Sequence, residues 1–130
     1  MNEAEMKERT KQFALRVLNL ADNLPRTRKG DIPASQIMRG GTSVAANYRA
    51  LCRAKSPADF INKTSIVEEE AGETGLWLEL IAQDGLIAGK RVQPLLQEAN
   101  EITGIIVASR LTARNREKTI ENRKSKTENQ

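Results

Sequence analysis

The most regular pattern in the chain lies between residues 92 and 113. Apolar or small residues recur there at alternating intervals of three and four: Val92, Leu95, Ala99, Ile102, Ile106, Ser109 and Ala113. An α-helix places residues three and four apart on one face, so this spacing predicts an amphipathic helix that packs against other helices. A half-buried strand would instead alternate with a period of two. The segment is therefore predicted to be helical.

Three further segments show helical periodicity. The first helix is predicted from about Asn2 to Leu24, and the connection that follows it from Pro25 to Pro33. The second helix starts near Ala34 or Ser35, and the third runs from Pro57 to Gly85. Ser56 is a good N-cap for this third helix, and Pro57 suits the first helical position, where its missing N–H costs nothing. Short connections between long helices predict an all-α, antiparallel up-down-up-down four-helix bundle.

Gly40 and Gly41 lie inside the second helical pattern. Each glycine costs a helix about 1 kcal/mol relative to alanine. Two explanations are open: another helix approaches closely at this point, or the helix is kinked.

The third helix carries a second stripe besides its core stripe. This second stripe contains Ile66, Glu70, Glu73, Trp77 and Leu80. The two stripes make the helix apolar on two sides, so it must contact more than one neighbour, in its own bundle or in another subunit.

The carboxylates of that stripe need partners. Buried carboxylates without partners cost several kcal/mol, so we predict that Glu70 or Glu73 bonds to a polar side chain of the second helix or of another subunit. The candidates are Arg39, Ser43, Asn47 and Arg49, the first three of which lie four residues apart on one face. The predicted structural network comprises Arg39, Ser43, Asn47, Arg49, Glu70, Glu73 and Trp77.

The two central helices also resemble a known family. The resemblance spans about residues 12 to 113 and is carried by spaced positions: Ile37, Arg39, Ser43, Val44, Asn47, Tyr48, Arg49, Arg53, Ser56, Asp59, Phe60, Glu70, Ala71, Glu73, Thr74, Trp77, Leu78, Glu79 and Leu80. The chain resembles the four-helix-bundle proteins encoded in intervening sequences of 23S rRNA genes, which are similar to accessory variability proteins of diversity-generating retroelements. The resemblance implies a closed bundle assembled as a homopentameric ring, nucleic-acid binding, and no enzymatic activity common to the family.

The excess positive charge is confined to the C-terminal end. From residue 110 onward the basic side chains are Arg110, Arg114, Arg116, Lys118, Arg123, Lys124 and Lys126. Three acids accompany these seven, so this segment accounts for the whole net charge of +4. No aromatic residue is interleaved, which favours contact with phosphates over base stacking. We divide the chain into a bundle domain, residues 1–115, and a basic tail, residues 116–130, predicted to be disordered or a frayed helix extension.

Catalytic and metal sites have little support in the composition. The chain has no His and a single Cys, Cys52, which excludes ordinary zinc and haem sites and supports no thiolate chemistry. Glu70 and Glu73 are three residues apart and resemble half of a di-iron site, but such sites also require His. We therefore expect no enzyme activity, no cofactor and no metal. No apolar run is long enough for a membrane span or a signal peptide, so a cytoplasmic location is expected.

Two functions remain. In the first, the chain self-assembles and binds RNA or DNA phosphates as a non-catalytic accessory or scaffold. In the second, its second apolar stripe engages a different protein, such as a reverse transcriptase, and the basic tail is only solubilising. Salt separates them, because phosphate contacts weaken steeply with ionic strength and apolar interfaces do not.

Overall fold

The computed structural model describes residues 1–128. Within this range the chain forms four α-helices and no strand: α1 (Glu3–Ala21), α2 (Arg28–Cys52), α3 (Pro57–Gln83) and α4 (Gly89–Glu128). The all-α prediction is confirmed. None of these helices is both long enough and apolar enough to cross a membrane.

Side-chain caps set the starts of the first three helices. Asn2 accepts a hydrogen bond from the Glu5 amide at 2.8 Å, and Ser56 accepts one from the Asp59 amide at 3.1 Å. Such caps satisfy backbone donors that have no partner within the helix. Helix α3 begins at Pro57 as predicted, and Gly85 follows its end with a φ of +71°.

The start of α2 was predicted wrongly. The helix begins at Arg28, not near Ala34, and Pro33 lies inside it. Thr27 is the N-cap and accepts a hydrogen bond from the Gly30 amide at 3.2 Å. Gly30 permits this start because the chain folds back over it: a Cβ at this position would lie 1.8 Å from the Pro25 carbonyl oxygen. Residues 28–33, which were predicted to belong to the connection, therefore form the first turns of α2.

One hydrophobic core lies between the four helices. The largest fully buried apolar side chains come from all of them: Phe13, Val17, Ile37, Val44, Val67, Leu78, Ile81, Val92, Ile102 and Ile106. Consecutive helices pack against each other along the chain, while α1 and α4 share a smaller contact. The stripe that predicted α4 is buried from Val92 to Ile106 and half-buried at Ser109 and Ala113. Burial of such side chains is the main favourable contribution to folding.

The paired glycines of α2 mark two close helix contacts. A Cβ at Gly40 would lie 2.2 Å from Thr74 Oγ1 of α3, and a Cβ at Gly41 would lie 2.8 Å from Val17 Cγ1 of α1. Of the two explanations offered by the sequence, close approach is the one observed. Adjacent glycines face different neighbours because successive helical residues are about 100° apart.

Helix α4 continues beyond the end of the core. It passes the predicted domain boundary at residue 115 without a break, and residues 116–128 are helical. The disorder proposed for this tail is not observed there, whereas the alternative, an extension of the helix, is. Residues 129 and 130, the last of the predicted tail, lie outside the described range. From residue 114 to residue 127 every side chain except the half-buried Glu117 is exposed. We call residues 114–128 the basic extension.

Candidate interaction surfaces

A single arginine joins two carboxylates where α2 meets α3. Arg39 Nη1 donates to Glu70 Oε2 and Arg39 Nη2 to Glu73 Oε2, each at 3.2 Å. The Glu70 side chain is 20% exposed, whereas those of Arg39 and Glu73 are 52% and 60% exposed. The pair with Glu70 is the more shielded, and solvent weakens the pair with Glu73. One guanidinium thus supplies the partner that both acids were predicted to need.

The other predicted network members lie apart from this ion pair. Asn47 Nδ2 donates to the backbone oxygen of Ser43 at 2.9 Å and to Ser43 Oγ at 2.8 Å, so these two residues form a local pair within α2. Arg49 acts on α1 instead. The pKa of Glu8 on α1 is lowered chiefly by hydrogen bonds from Gln12 and Lys11, and the charge of Arg49 lowers it further. The network is therefore smaller than predicted.

Apolar side chains extend this α2–α3 surface on both sides of the ion pair. Ile66 is 43% exposed, Leu80 is 44% exposed, and Ile32 of α2 is 57% exposed. Trp77 is half-buried and packs against the core. A groove runs beside it, lined by Arg28, Lys29, Ile32, Pro33, Trp77, Leu80, Ile81, Asp84 and Leu86. We define the α2–α3 face as Ile32, Arg39, Ile66, Glu70, Glu73, Trp77 and Leu80.

A second arginine with two acids was missed by the sequence analysis. Arg9 of α1 donates from Nε to Glu98 Oε2 at 2.8 Å and from Nη2 to Glu98 Oε1 at 2.5 Å. Its Nη2 also reaches Glu101 Oε2 at 3.0 Å. The Arg9 guanidinium is the main cause that lowers the pKa of the Glu98 carboxyl. The spacing of three residues between Glu98 and Glu101 was the available signal in the sequence. Arg9 could not be recognised as their partner, because it lies about 90 residues earlier in the chain.

Arg110 differs from the other cations of the predicted binding set. Its side chain is only 14% exposed and its Nη1 pairs with Glu68 Oε2 of α3. The same nitrogen lies 3.5 Å from Ser65 Oγ. Arg110 is therefore a contact between α3 and α4 and is removed from the candidate phosphate ligands. This corrects the sequence-based assignment.

The remaining six predicted cations all project from the basic extension. They are exposed, and none forms an ion pair with an acid of residues 1–127: Arg114, Arg116, Lys118, Arg123, Lys124 and Lys126. Exposed cations on a helix that continues past the core create a positive potential that attracts polyanions.

Two features bear on catalysis and metal binding. Among the side chains of residues 1–127, no three His, Cys, Asp or Glu converge in a way that could hold a metal ion. Cys52 is the last residue of α2 and lines a pocket together with the start of α3. The residue is half-buried, and burial raises the pKa of its thiol. A raised pKa lowers the thiolate fraction and so disfavours nucleophilic chemistry.

The sequence profile of the 23S rRNA-intervening sequence proteins matches residues 2–108. The chain belongs to this family. The resemblance found on α2 and α3 is thereby confirmed. A comparison with curated proteins found no match.

A solved structure supports the family assignment. This 23S rRNA-intervening sequence protein is similar to a protein of unknown function from the S23 ribosomal protein family of Bacteroides thetaiotaomicron, known from a crystal structure. The two share 36% sequence identity and superpose with a TM-score of 0.74. The match covers 80% of this chain and 96% of the other. The basic extension lies beyond the family match, which ends at residue 108.

Proposed function

We propose that this 23S rRNA-intervening sequence protein is a non-catalytic scaffold that self-assembles and contacts RNA or DNA phosphates. The observation that carries the proposal is the basic extension: six cations are exposed on a helix that continues past the core. Sequence-independent binding to nucleic acids depends mainly on such cations. The extension lies outside the family match, so this part of the proposal rests on the chain's own residues.

The assembled unit is proposed to be an antiparallel up-down-up-down bundle. Two ion pairs support this direction: Arg39 of α2 meets Glu70 of α3, whereas the earlier Lys29 of α2 meets Asp84, which directly follows α3. The connections, residues 22–27, 53–56 and 84–88, are short. Short connections between long helices favour antiparallel neighbours.

Self-assembly is proposed to use the α2–α3 face. It combines exposed apolar side chains with a charged centre, a composition that suits an interface with a polar part. A homopentameric ring, the state implied by the family resemblance, would have a mass of about 72 kDa, five times the 14.4 kDa of one chain. Five basic extensions would then act together and raise the affinity for a polyanion beyond that of one chain.

Light scattering after size exclusion tests whether the chain self-assembles through the α2–α3 face. We expect Leu80→Asp to lower the mass, because a carboxylate in an apolar interface loses its hydration. The matched control is Leu15→Asp on α1, since Leu15 is 47% exposed and Leu80 is 44% exposed. A wild-type mass near 14.4 kDa, or equal losses in both variants, would contradict the placement.

Truncation after Ala113 tests phosphate binding. Every fully buried core residue precedes this position, so the shortened chain should keep its fold. We expect fluorescence anisotropy with labelled RNA and DNA to show binding by the full chain that weakens with salt, and little binding by the truncated chain. Equal affinities of both chains would refute the role of the extension.

The groove beside Trp77 favours a second candidate function. Its lining is mostly apolar and also includes Arg28, Lys29 and Asp84. Such a groove could accept an apolar segment of another protein, for example a reverse transcriptase, while the extension only confers solubility. Binding to a partner protein that is lost in Leu80→Asp but insensitive to salt would favour this alternative.

A further inference from the structure

The positive charges of the basic extension are not distributed evenly around the helix. At 100° per residue, Arg116, Arg123 and Lys126 fall within a sector of roughly 80°. Glu117 and Glu121 project from the other side of the same helix. We call Arg116, Arg123 and Lys126 the basic face.

The acids also divide the six cations into two groups of three. Arg114 has Glu117 three residues away, and Lys118 and Lys124 both have Glu121 three residues away. Side chains at this spacing are neighbours on a helix and partly neutralise each other. By contrast, no acid lies three or four residues from any member of the basic face. The positive potential of the extension is therefore strongest on that face.

We propose that the basic face contacts the phosphate backbone of double-stranded nucleic acid. This inference rests on the proposed function and specifies its partner class and its residues. From Arg116 to Lys126 the helix rises about 15 Å, which holds three cations in a fixed arrangement. A duplex likewise offers a rigid array of charge, with one negative charge for about every 1.7 Å of its axis.

The chemistry of the extension does not suit single strands. Proteins that bind single strands stack the bases on aromatic rings, and no aromatic residue occurs from residue 109 to residue 130. The neighbouring hydroxyls are already committed as donors: Thr112 donates to the Ala108 carbonyl at 3.1 Å and Thr119 to the Asn115 carbonyl at 2.9 Å. Binding therefore depends on the three cations.

Two charge-matched triple variants test the inference in the full-length chain. The face variant is Arg116→Ala with Arg123→Ala and Lys126→Ala. The control, which takes Arg114, Lys118 and Lys124 to Ala, removes the same charge from the other side of the helix. All six side chains are exposed, so both variants should keep the wild-type far-UV circular dichroism.

Affinity is measured by fluorescence anisotropy with short RNA and DNA duplexes and with single strands of equal length. On a DNA duplex, three phosphate contacts from one extension predict a slope of log K against log salt of about −2.7, which is about a 40-fold loss between about 50 and 200 mM salt. We expect the face variant to lose this dependence and the control to retain most of it.

The outcomes separate the inference from the proposed function. Equal losses in the two variants would show that total charge decides binding, which overturns the basic face. Tighter binding to single strands than to duplexes would overturn the partner class. If the wild-type chain bound neither probe at low salt, the proposed function itself would fail.

Discussion

The contact between Gly41 and Val17 makes one substitution especially informative. A Cβ at Gly41 would lie 2.8 Å from Val17 Cγ1, 2.9 Å from Val17 Cβ and 3.2 Å from Val17 Cγ2. Val17 is fully buried, and its Cβ is bonded directly to the backbone of α1. Rotation of the valine side chain cannot move that atom, so Gly41→Ala must push α1 and α2 apart.

Two opposing effects determine the size of the change. Overpacking a well-packed core costs about 1–3 kcal/mol. Replacing a helical glycine by alanine recovers about 1 kcal/mol of backbone preference. Because the clash includes a Cβ that cannot move, we expect Gly41→Ala to lower the free energy of unfolding by about 1–2 kcal/mol.

The same substitution at Gly104 of α4 is the control. Gly104 is exposed and a Cβ there would meet nothing within 4 Å. Only the backbone preference acts at this position, so Gly104→Ala should raise the free energy of unfolding by about 1 kcal/mol. Urea denaturation followed by far-UV circular dichroism measures both changes. All variants must be compared at one protein concentration, because association adds to apparent stability.

The decisive result is the sign of the change at Gly41. If Gly41→Ala were as stable as the wild type or more stable, while Gly104→Ala gained stability, α1 and α2 would not approach as closely as the structure places them. The close-contact explanation of the glycine pair would then be refuted.

Three further predictions concern the ion pairs and a cap. Arg9 holds the pKa of Glu98 below its ordinary value of 4.5, so this carboxylate stabilises the fold above about pH 4.5 and loses its effect as the pH falls through the lowered pKa. Glu98→Gln should therefore flatten the acid limb of a stability-against-pH curve from thermal unfolding, and an unchanged limb would contradict the pairing. Arg110→Ala should cost about 1 kcal/mol because it breaks a partly buried ion pair, whereas Arg114→Ala should change stability by less than about 0.5 kcal/mol; equal values in urea denaturation would argue against the contact of α4 with α3. Ser56→Ala should cost about 1 kcal/mol by removing the cap of α3, again measured with urea, and no change would show that the cap is dispensable.

Local periodicity was enough to predict where most of the helices lie. The stripe from Val92 to Ile106 is buried as expected, because a fixed spacing of 3.6 residues per turn decides which side chains share a face. The start of α3 also followed from the sequence, since Ser56 and Pro57 act through their own backbone neighbourhood. The start of α2 did not, because Gly30 is explained only by the return of the chain at Pro25.

The sequence alone thus determined the helical fold, the core faces and the need of the acids for partners, since these depend on residues within a few turns of one another. The tertiary structure alone decided which partners meet. It assigned Glu68 to Arg110, so that a predicted phosphate ligand became a packing residue, and it assigned Glu98 to Arg9 across a long stretch of chain. Such pairings depend on the rotation and axial offset of whole helices, which are set by the packing of the entire core and leave no local trace in the sequence.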